Sequence, residues 1–236
     1  LLFFIPLVRK IHKKKIRWIV TSRKKIDCSR FFFGILVWGG ITFLLLGSDI
    51  LLSPEKYVWN FKPIPFFTLC FVAIVFIPLQ TSLEELLFRG YYMQGLALWI
   101  KNKWAPLIIM SVVFGLLHGL NPEIEKLGYV ALVFYIGTGL FFGVVSLMDE
   151  GIELAMGMHA VNNILAALFV TTDWTVFQTE ALYIDISEPS LGAEMFLPVF
   201  VLYPVVFLIF SKKYGWSNWK DKIFGKLEKP TLIEIE

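Results

Sequence analysis

The stretch Ser82-Leu-Glu-Glu-Leu-Leu-Phe-Arg-Gly90 sets three charges, Glu84, Glu85 and Arg89, inside a chain that is otherwise close to continuous membrane-grade apolar sequence. A charge at the centre of a membrane helix costs roughly 2.5–3.5 kcal/mol on insertion scales. Three of them together therefore need a reason. Either they sit at a membrane face, or they line a wet cavity in which they pair and work.

The surroundings of that stretch decide the fold class. Hydrophobic residues make up 57% of the 236 and charged residues 17%, with a mean hydropathy of +0.68; a soluble domain carries about a quarter charged residues. The chain reads as all-α, a polytopic transmembrane helix bundle of about six to eight membrane helices. It is expected to form a single integral membrane domain over residues 1–236. Cys28 and Cys70 lie in unlike surroundings, a basic loop and an apolar run, so neither a disulfide framework nor a cysteine metal site is implied. The chain opens at Leu1 in mid-apolar run, without a charged n-region. That reads as the last turns of a membrane helix that begins earlier, and not as a signal peptide.

Residues 9–30 carry Arg9, Lys10, Lys13, Lys14, Lys15, Arg17, Arg23, Lys24, Lys25 and Arg30 against Asp27 alone. Between apolar segments such a loop belongs to the cytoplasmic side, and nucleic acid is not expected as a partner. The tail, residues 211–236, carries Lys212, Lys213, Lys220, Lys222, Lys226 and Lys229 and is expected on the same side. The place implied is the cell (inner) membrane, crossed several times, with membrane lipid as a partner. Apolar segments lie at 31–47 (FFFGILVWGGITFLLLG), 66–80 (FFTLCFVAIVFIPLQ), 105–120, 127–148, 152–172 and 194–210, and the pattern stays helical from Glu84 to Ile100. Counting 66–80 and 84–100 as separate crossings would put the basic tail on the wrong side. The expected repair is a short re-entrant or interfacial helix beginning near Glu84. Gly139 and Gly143 have the spacing of close helix packing.

Polar side chains recur in three apolar segments: Glu84, Glu85, Arg89; His118; and Glu153, His159, Asn162, Asn163. Glu85 and Arg89 are four apart, share a helix face and can neutralise each other. Glu84 points about 100° away and lacks an obvious local partner, which suits a general acid or base. His118 shares a face with Phe114, and His159 with Asn163. A His–Asn pair can donate to a developing oxyanion, or can simply pin helices together. Glutamates, histidines and asparagine on facing helices are the parts needed to activate a water and stabilise a tetrahedral intermediate. No HExxH, nucleophile elbow or phosphate loop is present.

In order, Glu84-Glu85-xxx-Arg89, Phe114-xxx-His118 and His159-xxx-Asn163 resemble the three motifs of the CPBP (Abi, type II CAAX prenyl endopeptidase) intramembrane protease family. The resemblance spans roughly residues 66–172, the expected catalytic core. It implies hydrolysis of a peptide bond in a membrane-associated or lipidated peptide or protein substrate. By that analogy Glu84 and His118 orient and deprotonate the water, His159 and Asn163 stabilise the oxyanion, and Glu85 with Arg89 braces the site. The family has also been described as metal-dependent. If a metal such as zinc is used, Glu84, His118 and His159 are its expected ligands; a free base at Glu84 favours a metal-free water. His118 ends one segment and His159 begins another, so the two meet only if the His118 helix breaks at Gly119–Pro122 beside a wet cavity open to the cytoplasmic side. The competing readings are a non-catalytic immunity or scaffold protein of the same fold and a proton-coupled transporter. No inverted repeat of the kind a transporter favours is visible.

Overall fold

The computed structural model describes residues 1, 3–13 and 15–227. Lys14 and Lys229 of the two basic segments, with the rest of residues 228–236, lie outside them. Among the described residues twelve α-helices succeed one another: α1 Phe4–His12, α2 Arg17–Val20, α3 Cys28–Leu52, α4 Pro63–Glu85, α5 Met93–Ile100, α6 Trp104–Leu117, α7 Pro122–Leu127, α8 Leu132–Asp149, α9 Glu153–Leu168, α10 Ala193–Leu197, α11 Tyr203–Tyr214 and α12 Trp219–Phe224. Four stretches are long and apolar enough to cross a membrane: Cys28–Leu52, Pro63–Ile100, Tyr129–Asp149 and Met195–Tyr214, with Trp104–Leu117 a shorter apolar helix. The chain is a multi-pass helical membrane protein.

The stretch 66–100 departs from expectation. No new helix starts near Glu84. A π-turn at Leu86–Tyr92 joins α4 to α5, and Pro63–Ile100 runs on as one helix of 38 residues. At 1.5 Å per residue it is about 57 Å long, nearly twice the hydrocarbon thickness of about 30 Å. Pro63 starts it, at a position where a missing N–H costs nothing. Pro78 sits inside it, and the Thr81 hydroxyl donates back to the Ile77 carbonyl at 3.0 Å.

This continuity resolves the parity problem. Among the described residues six stretches link the two ends of the bundle: α3, α4–α5, α6 with the turn and α7 beyond it, α8, α9 and α10–α11. At one end Ser22 donates its N–H to the Glu150 carbonyl (3.0 Å), Lys103 to Gly225 (3.2 Å) and Leu227 to Lys101 (3.1 Å), so the basic loop, the 101–103 turn and the tail lie together. At the other end β1 (Tyr57–Trp59) pairs antiparallel with β3 (Tyr183–Asp185), which also takes β2 (Val170–Thr171) in parallel. Lys62 meets Glu180 there at 2.8 Å. β1 and β3 lie between the expected apolar segments, and β2 lies at the end of the expected apolar segment 152–172.

The arginines of the basic loop are bound inward. Arg23 reaches Glu153 (2.6 Å) and Asp149 (3.3 Å), Arg30 also pairs with Asp149, and Trp216 donates to Asp149 at 3.2 Å. Glu153, grouped by sequence with the intramembrane polar residues, is consumed in this clasp. α9 is the axis of the bundle: Leu154, Ala155, Met158 and Ala160 are fully buried against α3, α4 and α8. The expected Gly139–Gly143 packing holds, because a Cβ on either would strike Ser111 or Leu107 of α6 at 2.9 or 2.4 Å.

Cysteines placed singly at Lys103 and Glu125, with Cys28 and Cys70 replaced by serine, should label from opposite sides of a sealed vesicle. The Lys103 site should share its side with Lys213. Glu150 titrates below its ordinary 4.5, first because the Lys222 ammonium hydrogen-bonds it, at 2.9 Å. A depressed carboxylate pKa contributes stability above the unfolded value and loses it as pH falls through the folded one. The melting difference between wild type and Lys222→Met should therefore be constant above pH 4.5 and shrink below it, as scanning fluorimetry from neutral to acid pH would show.

Candidate active site

The three motif segments converge on one pair of side chains. Glu85, the last residue of α4 before the π-turn, is 0% exposed, and its Oε1 accepts from Arg89 Nη1 at 3.0 Å and from His159 Nδ1 at 2.8 Å. Its Oε2 is buried without a hydrogen-bond partner among the described residues. Arg89, 3% exposed, turns its other terminal nitrogen to the Gly139 carbonyl of α8 at 3.1 Å. Its guanidinium lies over Phe114 at 4.4 Å, with Phe142 at 5.4 Å. Helices α4, α6, α8 and α9 thus meet on a single ion pair. The expectation that Glu85 and Arg89 brace each other matches this geometry.

A carboxylate can only accept, so the contact of His159 with Glu85 puts a proton on Nδ1, and in the neutral imidazole the lone pair is on Nε2. That Nε2 looks toward Glu84 Oε2 at 3.7 Å. Glu84 is the more open of the two acids, its side chain 30% exposed. It is not alone on its helix: Gln80, one turn earlier, donates to its Oε1. Sequence reading missed Gln80 although the i,i+4 spacing carried the signal.

His118 stands at the end of α6, where the helix breaks before Asn121-Pro122 as the wet-cavity argument required. Its Nδ1 lies 2.8 Å from the Phe114 carbonyl, which again leaves the lone pair on Nε2. Phe114 is the spacer of the site, its ring centroid 4.8 Å from that of His118 and 6.1 Å from that of His159. Asn163 sits one turn beyond His159 and accepts from Asn162 at 3.1 Å, while Asn162 accepts from Trp38 at 3.1 Å. The structure therefore gathers Glu84, Glu85, Arg89 and His159 in direct contact. It sets His118 across Phe114 and holds Asn163 from behind.

The expected metal ligands do not converge. Among the described residues no three His, Cys, Asp or Glu side chains group so that they could hold a metal ion. Glu84, His118 and His159 form no such group. A cavity of about 310 Å³ opens at the basic end among Trp18, Gln94, Lys103, Glu150 and Lys222, with Arg89 in its wall.

A buried glutamate–arginine–histidine cluster thus joins the helices of a multi-pass membrane bundle. A model of the Rce1-like family, type II CAAX prenyl endopeptidases, matches residues 63–165, which enclose every residue of the site. Over 226 residues the chain is 30% identical to the uncharacterized protein YyaK of Bacillus subtilis (strain 168), covering 94% of this chain and 74% of that one. No solved structure matches it. The chain belongs to the Rce1-like family, a family of proteases.

Arg89→Met should cost about 3–5 kcal/mol by leaving Glu85 buried and uncompensated, and Glu85→Gln added to it should restore part of that loss. Phe114→Ala should cost about 3–5 kcal/mol as a core truncation. Thermal unfolding in detergent would measure both.

Proposed function

We propose that this chain hydrolyses a peptide bond in a membrane-associated or lipidated substrate, using a water held between Glu84 and His159. The observation that carries the reading is the sandwich of His159 between two glutamates, one buried and paired, the other half-open and 3.7 Å from Nε2. Glu85 and Arg89 orient the imidazole, and the Nε2 lone pair accepts one proton of the water in a hydrogen bond. Glu84 takes the other proton as the oxygen attacks the carbonyl carbon. A lone pair on Nε2 suits this role better than donation to an oxyanion, so the oxyanion falls to the amide of Asn163. The C–N bond then breaks as the proton taken by Glu84 passes to the departing amine, directly or relayed through His118 Nε2, leaving an acid and a free amine. Placement in the inner membrane, with residues 9–30 and the tail cytoplasmic, rests on the positive charge gathered at one end.

A non-catalytic scaffold or immunity role keeps the same fold and predicts indifference to these side chains. General acid–base groups contribute about 10²–10⁴-fold. Glu84→Gln, purified beside wild type and offered prenylated C-terminal peptides and transmembrane peptides, should lose at least about 100-fold in cleavage while its melting temperature holds. Equal cleavage by the two proteins would sink the catalytic reading.

A further inference from the structure

We propose that Tyr135, fastened by Glu123 and Asn121, positions the His118 imidazole; this rests on the hydrolytic reading above. His118 needs such a device. It caps α6 where the helix ends, so no following turn of that helix packs beside its ring, which leans on the Phe114 turn before it. One bond, Nδ1 to the Phe114 carbonyl, leaves the ring free to rock about it.

The Tyr135 ring of α8 removes that freedom. It stacks on the imidazole with centroids 4.4 Å apart and planes 17° from parallel. The stack is fixed at its far end. The Tyr135 hydroxyl donates to Glu123 Oε1, and Asn121 Nδ2 reaches both that oxygen (3.1 Å) and the hydroxyl (3.3 Å). Glu123 is buried, and its second oxygen accepts the Val176 N–H at 3.1 Å. The Val176 segment is itself tied down, since Thr171 Oγ1 donates to the Phe177 carbonyl at 2.9 Å and accepts from Thr179 at 3.0 Å. Gly115 lets the two helices close enough for the stack: a Cβ there would meet Ile136 at 2.3 Å, next to Tyr135 in sequence.

A buried glutamate that holds only a tyrosine hydroxyl, an asparagine amide and a backbone N–H is costly unless the arrangement it fixes is needed. What it fixes is the plane of His118. The two histidines then share one design. Each carries its proton on Nδ1 and presents a bare Nε2, His159 braced by Glu85 and Arg89, His118 by Tyr135 and Glu123.

The test uses the full chain in detergent, labelled with [15N]histidine; the three histidines of the sequence make three pairs of signals, and His118→Gln assigns one pair. Wild type should show His118 as a single Nδ1-protonated tautomer. Tyr135→Leu should average the two nitrogens, and Tyr135→Phe, which keeps the ring, should fall between. Unchanged His118 signals in a folded Tyr135→Leu protein would overturn the proposal. Should that variant not fold, the near-isosteric Tyr135→Phe and Glu123→Gln decide it by the same signals. On any peptide that wild type cleaves, Tyr135→Leu should lower kcat about 100-fold, as a misplacement of about 1 Å does. KM should stay within about threefold, and Tyr135→Phe should recover about tenfold in kcat; a loss confined to KM would overturn the positioning role. A wild type that cleaves no peptide counts against hydrolysis alone, because the nitrogen signals still decide whether Tyr135 positions His118.

Discussion

Everything in this bundle is arranged around one carboxylate that water does not reach. Glu85 has two donors on a single oxygen, and both come from residues that are themselves buried, Arg89 and His159. Such a pair gains little net stability, since desolvating the charges offsets their attraction. Its effect is on specificity of arrangement. Arg89 satisfies its second nitrogen at the Gly139 carbonyl and lays its flat face on Phe114, with Phe142 beyond. Four helices are thereby held at one level, and the relative rotation of α4 and α9 is set to within a hydrogen bond.

The π-turn belongs to the same constraint. An extra residue in one turn rotates the rest of the helix by about 100° relative to an unbroken α-helix. The turn begins right after Glu85 and contains Arg89, so it sits where the helix must offer one acid to the interior and its neighbour to a partly open space. Gln80 steadies Glu84 from the preceding turn, and Thr81 satisfies a carbonyl near Pro78. The helix thus keeps going where charge density suggested a break.

The legible part of the site was chemical and the illegible part was spatial. Glu84, Glu85, Arg89, His118, His159 and Asn163 stand out because a polar atom in apolar sequence is costly wherever it lies, and that cost needs no coordinates. Tyr135, by contrast, is an ordinary aromatic in an apolar helix, and Glu123 opens a polar-looking turn beside Glu125 and Lys126. Nothing in their own neighbourhoods tells that one stacks on His118 and the other is buried. Glu153 misleads in the opposite direction: it stands out as a polar residue in an apolar segment, yet Arg23, 130 residues away, binds it. The continuity of 63–100 was equally hidden, because Pro78 and three charges imitate a helix end.

How two histidines at opposite ends of their segments come together is a matter of length. α6 and α9 both start from the basic end of the bundle, through Lys103 and through Glu153. α6 has only 14 residues, about 21 Å, well short of the roughly 30 Å of hydrocarbon. His118, at its tip, therefore falls short of a full crossing measured from that end. Its broken backbone stays satisfied there: His118 N–H bonds Gly115, Gly119 bonds Leu116, and Asn121 bonds His118, each at 3.0 Å. His159 is only six residues into α9, about 9 Å from the same end. The difference in level is bridged by Phe114, one turn below His118, whose ring faces both imidazoles. Extra turns inserted ahead of His118 would carry it toward the opposite face and away from His159.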